Sequence, residues 1–136
     1  MKNYLVLIKG QLAQNSGLIE SFLSEDEDYV VHSSQDNSKG KLARTEYRVI
    51  KQYDKFSLLK INLLTGKKNQ IRVHLAELGH PVLGDEKYGD KKTVYKNLML
   101  HSYSLEITHP FKMERVRFSA PPPEHFLKLS GSLEFN

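Results

Sequence analysis

Cysteine is absent from this chain of 136 residues, which excludes disulfide staples, thiol catalysis and any Cys-ligated zinc site. No apolar run comes near the roughly 20 residues that a membrane-crossing helix needs, and Met1 to Gly10 is too short and too alternating for a secretory leader. No membrane association and a cytoplasmic location are therefore expected. The five prolines include a consecutive triplet, Pro121, Pro122 and Pro123, which stops the last predicted strand. A phosphate loop is missing too, because Gly66-Lys67-Lys68 lacks the four-residue gap leading to a Gly-Lys-Ser or Gly-Lys-Thr. There is no nucleophile-elbow pattern around a serine. His74, His80, His101 and His109 stand six, 21 and eight residues apart, which matches no compact zinc motif, so no metal site is expected.

What remains is an ordinary globular composition, 39% apolar and 26% charged, sufficient for a single core. The net charge of +4 is unevenly placed. Residues 1 to 40 hold three Lys against six Asp or Glu, while residues 41 to 136 hold 17 Lys or Arg against 10 acids. The basic part is the candidate surface for an anionic partner such as a phosphate backbone.

Tyr4 to Ile8 reads as a strand of interior quality ending at Gly10, a strand that needs partners on both sides or a place at an edge. Ser24 to Asp28 reads as an acidic turn and Ser33 to Lys41 as an exposed loop. Thr45 to Gln52 and Phe56 to Leu64 have strand composition and flank Tyr53-Asp54-Lys55, so they form a hairpin, with Tyr47 and Val49 opposite in face to Arg48. Between Asn69 and Leu78 the period changes: Ile71, Leu75 and Leu78 line one side of a short helix. Thr65 or Asn69 can cap it, and Gly79 with Pro81 ends it. A second strand pair follows, Leu98 to Ile107 and Glu114 to Ser119, joined through His109, Pro110 and Phe111. Pro123 opens a helical turn carrying Phe126 and Leu127. The fold class is α+β, a mostly antiparallel sheet with short flanking helices.

The densest polar cluster runs from Thr65 to His74. A glycine turn entering a helix gathers free backbone amides and cationic side chains in one place. Arg72 projects from the helix, and its planar fork can hold a carboxylate or phosphate through two parallel bonds; a solvated Arg paired with a nearby acid is the equal alternative. Lys67 and Lys68 fit backbone contact or a solubilising surface. Asp85 and Asp90 bracket a turn, and a structural role for Asp85 outweighs a catalytic one. Tyr4 fits core packing first and base stacking second.

Together these residues resemble the RluA-type branch of RNA pseudouridine synthases. The long match is Leu64-Thr-Gly-Lys-Lys-Asn-Gln-Ile-Arg-Val-His-Leu-Ala-Glu-Leu-Gly-His-Pro-Val-Leu-Gly-Asp-Glu-Lys-Tyr-Gly89, close to that branch's Thr-Gly-Arg-Thr-His-Gln-Ile-Arg-Val-His block and its Gly-His-Pro-Ile-x-Gly-Asp continuation. Lys41 to Tyr47, Leu100-His101, His109-Pro110 and Phe118 to Pro121 add to it. The resemblance implies that residues 1 to 136 are the C-terminal half of such a catalytic domain, with a partial pseudouridine synthase fold.

By the same resemblance, Tyr4 is the residue packing against a flipped uridine, and Arg72 is the one that stations the catalytic aspartate. Ile71 lines the pocket, and Lys67, Lys68, Asn69 and Gln70 contact substrate. Lys67 stands where the branch has Arg and Asn69 where it has His. The aspartate belongs to a His-Arg-Leu-Asp segment that occurs nowhere in these 136 residues, so Arg72 is expected to have no partner in its own chain. The implied reaction, without metal or organic cofactor, detaches uracil and rejoins it through carbon 5. The implied partners are ribosomal or transfer RNA, and either a separate N-terminal half or a second copy. A noncatalytic RNA-binding or protein-interaction module is the alternative.

Overall fold

The computed structural model describes residues 2–93, 95–108, 115–119, 123 and 125–127, with the backbone alone for 103–108 and 115–119. In chain order the strands are β1 (Lys2–Lys9), β2 (Ser16–Glu25), β3 (Val31–Ser34), β4 (Lys41–Gln52) and β5 (Phe56–Leu63). Helix α1 (Gln70–Glu77) follows, then β6 (Leu100–Thr108) and β7 (Arg115–Ser119). They form one seven-stranded sheet of order β3-β2-β4-β5-β1-β6-β7, antiparallel at every pairing. The α+β class with short flanking helices holds. Among the described residues no helix is long and apolar enough to cross a membrane.

The first strand lies in the middle of the sheet, between β5 and β6. Burial on both faces explains its near-continuous apolar run: Leu5, Val6, Leu7 and Ile8 are all fully buried. The expected hairpin joins β4 to β5, closed by Tyr53 N–H donating to the Phe56 carbonyl at 2.8 Å. Tyr47 is buried on it while Arg48 is exposed, as strand alternation requires.

Strands β2 and β3 were not legible, and Ser24, Glu25, Ser33, Ser34 and Lys41, read as turn or loop, are in strands. The reason is an inverted pattern on β2. Its inward positions are Ile19, Ser21 and Leu23, whereas Leu18, an outward one, is apolar and exposed. A buried serine between the inward Ile19 and Leu23, with Leu18 exposed, breaks the alternation that marks a half-buried strand. The later strand pair is two residues shorter at its start than expected, beginning at Leu100, and its joint at His109 to Phe111 lies outside the described residues. The turn at 125–127 is helical, with Phe126 fully buried in the main core.

Helix α1 packs against β2, β3 and β4. Register puts Tyr4, Ile61 and Tyr47 side by side on one face of the sheet. Gly79 ends the helix at φ 85, and its N–H and that of His80 return to Ala76 and Leu75 carbonyls, as a left-handed stop does. The chain then runs beside β1, with Lys9 and Leu83 N–H donating to the Pro81 and Leu7 carbonyls. At Gly84, φ is 83 and an added Cβ would lie 2.0 Å from the Asn97 carbonyl oxygen, so only glycine lets the backbone turn there. That turn delivers Asp85 beneath α1.

Candidate active site

Arg72 has a partner in its own chain, contrary to what the resemblance implies and in keeping with the alternative of an arginine paired with a nearby acid. Its Nε donates to Asp85 Oδ2 at 2.9 Å and its Nη2 to Asp85 Oδ1 at 2.8 Å, the parallel fork that a guanidinium forms with a carboxylate. Asp85 is fully buried and Arg72 is 21% exposed. The ring of Tyr88 lies 5.1 Å from the Arg72 guanidinium carbon, and Tyr88 N–H donates to Asp85 Oδ1 at 3.0 Å. Burial pushes the Asp85 carboxyl up, but hydrogen bonds from Arg72 and from the Tyr88 and Lys87 backbone outweigh it and hold the group below its ordinary value. The stability from this depression is complete above the unfolded pKa of roughly 3.9 and is lost as pH falls through the folded value. The structural role given to Asp85 is thus larger than turn formation.

Among the described residues, Arg72 Nη1 makes a long contact to Asn69 Oδ1, 3.5 Å. Arg72 lines a pocket of about 180 Å³ together with Tyr4 and Leu63, Lys67 and Asn69, Gln70 and Ile71, and Leu100. Tyr4 comes from the central strand and the others from β5, β6 and the entry to α1. Asn69 occupies the left-handed region at φ 56 and precedes the helix without a side-chain cap. Thr65, the other capping candidate, instead accepts from Arg44 N–H and donates to Gln70 Oε1, both at 2.8 Å.

Two of the expected substrate contacts are otherwise engaged. Gln70 is buried; its Oε1 accepts from Thr65 and from Lys67 N–H, and its Nε2 donates to the Arg44 carbonyl and to Thr45 Oγ1. Every hydrogen-bonding atom of that amide is committed to shaping the pocket wall. Lys68 points away from the pocket, 2.6 Å from Glu25 and over the Tyr29 ring. Adjacent side chains of a turn diverge, and the acidic β2–β3 turn captures this one.

His74 is a residue that sequence reading left without a role. It is wholly buried, with Nδ1 2.7 Å from Thr45 Oγ1 and Nε2 2.9 Å from Ser21 Oγ. Because Thr45 already accepts from Gln70, its proton is best spent on Nδ1, leaving Nε2–H to donate to Ser21. Ser21 is 2.7 Å from Ser33 Oγ, which donates to Glu77 at 2.6 Å. This chain bolts α1 to the sheet and needs a neutral imidazole. Burial pushes the His74 pKa below its ordinary value, with Glu77 acting weakly against it. Below the unfolded pKa of about 6.5 the unfolded chain gains a proton that the folded one does not, so stability falls with pH. Urea titration should show stability falling between pH 7.5 and 5.5, with at most about 1.4 kcal/mol of the loss coming from this group. His74→Gln should abolish that part of the slope; an unchanged slope would place the titration elsewhere.

His80 donates through Nδ1 to the Lys9 carbonyl at 2.9 Å, which ties the turn after α1 to the end of β1. Among the described residues no three or more His, Asp or Glu are grouped as metal ligands.

Tyr4 of β1 and Arg72 of α1 thus line one pocket beside an antiparallel sheet. Residues 1–77 match the model of the RNA pseudouridylate synthase family, and the chain belongs to that family. It is 39% identical to an uncharacterised RNA pseudouridine synthase of Aquifex aeolicus, over 98% of this chain and 45% of that protein. It is 42% identical to ribosomal large subunit pseudouridine synthase D of Borreliella burgdorferi, over 78% of this chain and 33% of that one. The chain spans under half the length of these relatives. Its fold superposes on human RNA pseudouridylate synthase domain containing 1 with a TM-score of 0.77 and 27% identity, covering 90% of this chain and 54% of the human one.

Proposed function

We propose that this chain is the C-terminal half of an RluA-type catalytic domain and contributes one side of a uridine-isomerising site. On this reading it acts on ribosomal or transfer RNA in the cytoplasm. The observation that carries the reading is the convergence of Tyr4 and Arg72 on one pocket with Lys67 and Ile71. Tyr4 supplies a ring against which an extruded uracil can rest, and Ile71 an apolar wall beside it. Arg72, with Nε and Nη2 held by Asp85, has its Nη1 edge left to orient a second carboxylate. That carboxylate, the nucleophile, has to come from outside these 136 residues, in an N-terminal half. Without it the chain binds RNA but leaves the glycosidic bond intact.

The alternative, a noncatalytic RNA-binding or protein-interaction module, draws on the same Arg72–Asp85 pair, since an arginine already neutralised is stable without a nucleophile. Both readings on RNA are tested by filter binding of a loop-containing RNA across a salt series. Affinity should fall with salt, and Lys67→Ala should weaken binding and reduce the logarithmic salt slope by about one. Binding that is absent, or indifferent to salt, would remove RNA from both.

A further inference from the structure

The β2–β3 turn carries an aromatic ring that the turn itself does not need. Tyr29 is 68% exposed and sits at φ 61, a region where a bulky side chain is disfavoured and Gly or Asn would be easier. The turn is built by Asp26, whose Oδ1 accepts from Asp28 and Val30 N–H and whose Oδ2 meets His32. Strain at an exposed aromatic with little packing to offset it is a reason to look for a ligand.

The turn is also tied to the pocket. Tyr88, stacked under Arg72, accepts through its hydroxyl from Val31 N–H at 3.0 Å and from Asn69 Nδ2 at 3.3 Å. Lys87 donates to the Tyr29 carbonyl at 2.8 Å. A run of contacts therefore leads from Arg72 through Tyr88 to the base of Tyr29. We propose that Tyr29 is a stacking platform for an unpaired RNA base flanking the nucleotide that enters the pocket, an inference that rests on the RNA-binding reading above.

Charge narrows the kind of contact. Lys68 lies over the ring at 5.5 Å and pairs with Glu25, and Asp26 is engaged inside the turn, but Glu27 and Asp28 are exposed acids. The surroundings do not attract a phosphate as Lys67 does. Recognition here is of the base's π-face, which every base presents, and it depends weakly on salt.

The chain contains no tryptophan, so in Tyr29→Trp selective tryptophan emission reads position 29 alone. Saturation with an RNA hairpin carrying a single-stranded loop should quench that emission at near wild-type affinity. A fully paired duplex should not quench it. Tyr29→Ala should bind the hairpin roughly ten-fold more weakly with an unchanged salt slope, while circular dichroism shows the fold intact. Unquenched emission at saturation, equal quenching by the duplex, or wild-type affinity in Tyr29→Ala would overturn the platform; if Lys67→Ala still weakened binding, the functional reading would stand. Absence of salt-sensitive binding by the unaltered chain would overturn both.

Discussion

Replacing Arg72 with Met should destabilise the chain by about 3 kcal/mol, the lower end of the range for breaking a buried pair, because Arg72 keeps some contact with water. The cost comes from Asp85. With the guanidinium gone, a fully buried carboxylate keeps its backbone donors, and its charge is opposed by the burial that Arg72 had helped to outweigh. Asp85→Ala should be comparably harmful for a different reason, since it orphans the Tyr88 N–H that the carboxylate accepts and leaves Arg72 without its fork. The double variant should cost well under the sum of the two. Urea denaturation of all four members of the cycle measures the coupling, and strict additivity would mean that the fork contributes nothing. Arg72→Lys should recover only part of the loss, since an ammonium cannot make both bonds.

Mixing the chain with a separately produced N-terminal segment carrying a His-Arg-Leu-Asp sequence should raise pseudouridine formation in ribosomal or transfer RNA at least roughly 10³-fold over either piece alone. Removing a nucleophile from a well-studied hydrolase costs more than that, so the gain on restoring one is a conservative expectation. In the mixture, Tyr4→Ala should lose most of the product while the two pieces still associate. No gain from mixing would sink the half-site proposal and leave the noncatalytic module. The same assay separates the two roles of the guanidinium: Arg72→Lys retains charge beside the pocket but not a fixed Nη1 edge.

Much of the local architecture was written in the order of residues. The run from Tyr4 to Ile8 announced an interior-quality strand, and the spacing of Ile71 and Leu75 announced α1, although Leu78, placed on the same side, is its exposed C-cap. Asn69, Gln70, Ile71 and Arg72 line the pocket together because they are consecutive at the entry of one helix. Strand β2 escaped because its inward Ser21 is polar, and a polar inward residue is intelligible only once His74 is seen opposite it. Lys68 was grouped with Lys67 because sequence adjacency cannot say which way two neighbouring turn side chains diverge.

The sequence by itself determined most of the elements, though not β2 and β3, and with them the class of fold, the family likeness and the absence of a His-Arg-Leu-Asp segment, because propensity, periodicity and motif are properties of short stretches. Only the tertiary structure decided the partners. It set Tyr4 on the same pocket as Arg72 through the register of β1 on β5, and it paired Arg72 with Asp85 through the turn at Gly84. It also gave Lys68 to Glu25 and enclosed His74 between two hydroxyls. Each of those pairings joins distant parts of the chain, and the burial that makes it strong exists only after the sheet and helix have closed on one another.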